Sequence, residues 1–122
     1  MKSNKEILDC FGEKIISNVY DDALNYFIQL RNGTTKWNIG KEYTDIINKL
    51  NIKDQELLFK YFKETIGTTI FGLLGFFEEN TQYKIIYEED GQQVDLNKIS
   101  EMLKAEPIIE NGWIQRFSNV SN

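Results

Sequence analysis

The chain has 122 residues, 41% hydrophobic and 13% aromatic, with one proline, one cysteine and no histidine; it is long enough for one domain that folds without disulfides or metal. Missing imidazole removes histidine ligands and general bases, and a lone Cys10 excludes an intramolecular disulfide and a multi-cysteine zinc site. The net charge is −5, with nine basic against nine acidic residues in 1–61 and five against ten in 62–122, a balance that disfavours nucleic acid and suits a basic protein partner.

The opening stretch MKSNKEILDC has no apolar signal region, and TIFGLLGFF is too short to cross a bilayer, so a cytoplasmic location without a membrane segment is expected. From there Leu8, Phe11, Ile15, Val19, Ala23, Phe27 and Leu30 follow steps of three and four and predict helix over Asn4–Arg31. Ser17-Asn18 is a place where that helix can divide, Ser17 then capping a second helix with Asp21-Asp22 in its first turn. Asn32-Gly33 supplies a stop. TTKWNIG reads as a polar loop, and Tyr43–Leu50 as a short helix with Tyr43, Ile46, Ile47 and Leu50 on one side.

The strongest helical pattern runs from Asp54 to Glu79, with Leu58, Phe62, Ile66, Ile70 and Leu74 along its apolar face. Gly67, Gly72 and Gly75 lie inside it, each costing about 1 kcal/mol against alanine. Close approach of another backbone or a kink at IGTT is the expected reason; a ligand against bare backbone is the alternative. After Asn80 the period falls to two, predicting a strand over Gln82–Glu88 and a hairpin at Asp90-Gly91. Asp95–Leu103 reads as a short helix, Pro107 as a break, and Gly112–Phe117 as a last strand returning to the hairpin. The expected fold is therefore a single helix-dominated α+β domain, 1–122, with a small antiparallel sheet near the C-terminus.

Glu78 and Glu79 stand in the last turn of the long helix, where its dipole disfavours anions by about 0.3–1 kcal/mol each. With Glu88, Glu89, Asp90 and Asp95 they form a candidate acidic rim for a basic partner, unless Lys84, Lys98 or Lys104 neutralises them. The same acids admit a carboxylate-dependent hydrolase, but no carboxyl pair is singled out. EEDGQQVD lacks the ligand spacing of a calcium loop and GTTIFGLLG the ending of a phosphate loop, so no metal or cofactor is expected. Trp113 and Phe117, four apart near the end, either anchor the C-terminal segment or present a partner surface, the anchor being favoured. Trp37, in its polar loop, is the better exposed candidate.

Three stretches, NVYDDALNYF, ETIGTTIFGLLGFFEE and NGWIQRFS, together resemble a pattern in small bacterial proteins, several of which accompany toxins as immunity proteins. The resemblance implies a non-enzymatic inhibitor that binds and neutralises a toxin domain, and it brings no catalytic residues; Gly72 and Gly75 depart from the polar or bulkier residues often found at their positions. Charge adds that the toxin domain would be basic, as nucleases that bind phosphate commonly are. A small-molecule-binding regulatory or scaffold domain, its glycine-bearing helix lining a pocket, is the alternative from another class.

Overall fold

A computed structural model describes residues 1–120 and consists of six α-helices and one hairpin. Helix α1 spans Asn4–Ile15, α2 Asp22–Asn32, α3 Lys41–Lys49 and α4 Ile52–Glu79; strands β1 (Ile86–Glu89) and β2 (Gln92–Asp95) follow, then α5 (Leu96–Ile99) and α6 (Trp113–Phe117). The fold is α+β and helix-dominated, with a two-stranded antiparallel sheet in the C-terminal part.

Helix α1 starts on a capping box: the Ser3 hydroxyl accepts the Glu6 N–H at 3.2 Å and the Glu6 carboxylate accepts the Ser3 N–H at 3.0 Å. Ser17 does not cap a second helix. Instead the chain passes from α1 to α2 through a π-helical turn, Ile16–Asp21, with Asp21 itself in helical backbone. The wider turn advances the buried face out of step with a 3.6 period. Val19, expected on the apolar side, is 45% exposed, while Ile16, Tyr20 and Leu24 are buried. Gly33 then ends α2 in left-handed backbone, φ 68°, and the Thr34 N–H returns to the Gln29 carbonyl at 2.9 Å.

Asn51 caps α4, its side chain accepting the Asp54 N–H at 2.8 Å, so the helix begins two residues before the expected Asp54. It runs without a break through IGTT, so the kink expected there is absent. Phe27 of α2 stacks on Phe59 and Phe62 of α4 at 5.3 and 5.1 Å between centroids, which joins the two helices.

The hairpin turns at Asp90-Gly91, both left-handed (φ 52° and 79°), as a two-residue turn matching strand twist requires. Its register pairs Tyr87 with Val94 and Glu88 with Gln93. Strand β1 starts at Ile86, not Gln82, because a turn after α4 bonds the Tyr83 N–H to the Asn80 carbonyl at 3.0 Å. Helix α5 stops at Ile99; Ser100 and Met102 are extended, and Leu103–Ala105 forms a separate 3₁₀ turn.

Gly112–Phe117 is not a strand. Its backbone donors are taken locally: Trp113 N–H by the Glu106 carbonyl at 2.9 Å, Ile114 N–H by Pro107 at 3.1 Å and Arg116 N–H by Gly112 at 3.0 Å. A segment so satisfied has no donors for a sheet edge, and it forms α6. Trp113 is 1% exposed and lies against α1, where a methyl group on Gly12 would collide with the indole ring. Phe11 meets the indole edge-on at 5.7 Å.

Trp113→Ala should lower the unfolding free energy in urea by about 3–5 kcal/mol. Gly12→Ala should lower it by about 1–3 kcal/mol, because the indole cannot yield. Gly72→Ala, whose new methyl meets nothing within 4 Å, should instead raise it by about 1 kcal/mol.

Candidate functional site

The acids of the expected rim are divided among separate tasks. Glu78 accepts the backbone N–H of Lys104 at 3.0 Å and lies 3.8 Å from its ammonium, which explains its place against the α4 dipole. The carbonyls of that last turn are met by side-chain amides, Asn80 on Phe76 at 3.0 Å and Asn97 on Phe77 at 3.1 Å. Asp95 caps α5 by accepting the Asn97 N–H at 3.0 Å. Glu89 takes the Tyr87 hydroxyl, the terminal ammonium at 3.3 Å and the Lys2 ammonium at 3.6 Å. The Tyr87 hydrogen bond and the terminal ammonium hold the Glu89 carboxyl below the usual range. Glu79, Glu88 and Asp90 remain exposed, Glu88 accepting a 3.2 Å bond from Gln93.

Trp113, being buried, is the anchor and offers no partner surface. Trp37 is the opposite case. It is 82% exposed and stands between Gly33 and Gly40, with left-handed backbone at Trp37 and Asn38 (both φ 56°) as well as at the two glycines. The Thr35 hydroxyl donates to the Ile39 carbonyl at 2.7 Å and closes the loop, and the Lys36 ammonium lies 4.8 Å from the indole centroid. Left-handed backbone at a side-chain-bearing residue costs about 1–2 kcal/mol, so the loop holds an exposed indole against local preference.

Helix α3, which follows the loop, also leaves apolar side chains exposed. Tyr43 and Ile46, expected on its buried side, are exposed together with Ile39, and only Ile47 and Thr44 are buried. Tyr43, Ile46, Ile47 and Leu50 share one helical face, and spacing alone gives no signal that the neighbouring helices leave Tyr43 and Ile46 uncovered. Gly40 lets Tyr26 and Tyr43 flank the patch: a methyl there would lie 2.6 Å from Leu30 and 3.5 Å from the Tyr26 hydroxyl.

Elsewhere, a groove of about 590 Å³ runs between α4 and the segment Pro107–Gln115, and a smaller one of about 170 Å³ lies beside the half-buried Cys10. Among the described residues no group of three His, Cys, Asp or Glu side chains is arranged to hold a metal, and no helix is long and apolar enough to cross a membrane. Asp21 is buried, accepting the Ser118 hydroxyl at 2.6 Å and the Asn119 N–H at 2.8 Å. Asp9 is held below the usual range by its hydrogen bonds to Lys5 and, in spite of partial burial, to Arg116. Burial pushes Glu106 up, against the opposing charge of Arg116.

Compared with protein-family models, curated proteins and solved structures, the chain finds no match in any of the three.

Asp9 and Glu106 give stability opposite pH dependences. The depressed pKa of Asp9 adds stability at neutral pH that is lost as pH falls through its folded value, whereas the raised pKa of Glu106 favours the folded state only while it is protonated. Glu106→Gln should therefore raise the melting temperature at about pH 7, with the gain gone by about pH 4; Asp9→Asn should lower it at pH 7 and not at low pH. Calorimetry across that range checks both signs.

Proposed function

We propose that the protein is a non-enzymatic bacterial immunity or inhibitor protein that neutralises a basic toxin domain, seating it on the Trp37 loop and the outer face of α3. The observation that carries this reading is Trp37, 82% exposed on left-handed backbone and followed by exposed Ile39, Tyr43 and Ile46. A large indole held outward at a conformational cost is of no use to folding, but it is the type of side chain that dominates interface energetics. The exposed Glu79, Glu88 and Asp90, within a chain of net charge −5, would speed encounter with a cationic partner and make it salt-sensitive. The resemblance of NVYDDALNYF, ETIGTTIFGLLGFFEE and NGWIQRFS to immunity proteins points the same way.

Co-expression with basic toxin domains encoded by neighbouring genes tests this. The wild-type protein should restore growth against one of them and form a complex with it. Trp37→Ala should weaken that complex by about thirtyfold or more with unchanged melting, and Tyr43→Ala should weaken it too. Failure to protect against any such domain, or full protection by Trp37→Ala, would refute the assignment.

A further inference from the structure

We propose that the groove between α4 and the Pro107–Gln115 segment is a binding site for a small organic anion with an apolar body, such as an aromatic or medium-chain carboxylate. This goes beyond the protein interface and rests on other residues. At about 590 Å³ the groove falls within the size range of small-molecule sites. Phe71 of α4 and the Pro107, Ile108 and Ile114 side chains give it apolar walls.

Gly67 lies in its lining, in the middle of α4. A methyl group there would meet only the Ile114 Cδ1, at 3.9 Å, which is ordinary contact. Packing within the protein therefore does not demand glycine, and helix propensity opposes it. What bare backbone at that point admits is close approach of a ligand.

The second observation is Tyr20. It belongs to the π-helical turn, lines the groove and is only 6% exposed. Its hydroxyl makes no hydrogen bond with another described residue, and the neighbouring Asp21 carboxylate accepts from Ser118 and Asn119. The hydroxyl itself is reached by solvent at the groove, where an acceptor brought by a ligand can take the place of water. Turns of the π type recur where a helix has been reshaped for a site.

Charge at the mouth selects the sign of that acceptor. Among the described residues lining it, Lys60 is a cation at the mouth and Glu64 the acid one turn away on α4. Lys60 is exposed and makes no ion pair with another described residue, whereas Lys63 lies over the Phe59 ring at 5.3 Å. A carboxylate head is thus drawn to Lys60 and accepts the Tyr20 hydroxyl, while the apolar body covers Gly67.

Titration calorimetry and amide NMR with indole-3-acetate and decanoate, and with indole-3-acetamide as the uncharged control, test the site. At least one acid should bind saturably with a Kd of about 1 mM or tighter, shifting amides of α4 and Pro107–Gln115, and the amide should bind more weakly than its acid. Tyr20→Phe should weaken binding about tenfold without loss of stability. Lys60→Gln should weaken it about threefold, an effect that salt abolishes. Gly67→Ala should melt several degrees higher and yet bind less. No saturable binding by either acid, equal binding of acid and amide, or unchanged affinity in Tyr20→Phe and Gly67→Ala would each overturn the proposal.

Discussion

The structure depends on one contact, the Trp113 indole lying on the bare backbone of Gly12. It seats α6 on α1, while the segment between the hairpin and α6 is held on α4 through Asn97 and Lys104. Two polar ties flank the contact: the buried Asp21 holds Ser118 and Asn119, and Arg116 reaches Asp9 at 3.0 Å. The C-terminal segment thus closes over the first helix and its π-turn. Removal of the indole would leave a void lined by Phe11 and Gly12, and it would also release the Pro107–Gln115 wall of the groove. Stability and the shape of that groove are therefore coupled through a single side chain.

The π-turn decides which residues the rest of the molecule sees. A regular helix through Ile16–Asp21 would keep Val19 on the apolar face. The wider turn sends Val19 to solvent and brings Tyr20 and Asp21 inward together. Burying two polar side chains side by side is unfavourable unless each is satisfied. Asp21 finds donors in the C-terminal segment, and Tyr20 is left at the groove, its proton held more firmly by burial and by the adjacent carboxylate.

Helices α1 to α4 were legible because their apolar residues recur at helical spacing over long runs, and the hairpin because Asp-Gly is specific for a tight turn. What sequence did not reveal is where backbone donors go. Gly112–Phe117 suits either a strand or a short helix, and only the carbonyls of Glu106 and Pro107, supplied by the preceding turns, decide for helix. The acidic rim is thinner than composition suggests for a related reason. Composition counts Glu78, Glu89 and Asp95 as surplus charge, whereas each serves a specific donor within the fold. Trp37 was visible as an exposed residue in a polar loop; Tyr43 and Ile46 were not, because an amphipathic pattern does not say how much of it the neighbouring helices cover.

The seat of Trp113 on Gly12 also orders events during synthesis. Helix α1 leaves the ribosome with its capping box complete, but the side chain that covers it arrives only with residue 113. Until then the α1 surface around Phe11 has no native cover, and its closing contact is among the most distant in the chain. Native closure of such a long loop comes late and slowly. The Phe11 side of α1 thus stays without its final cover until residue 113 has been made.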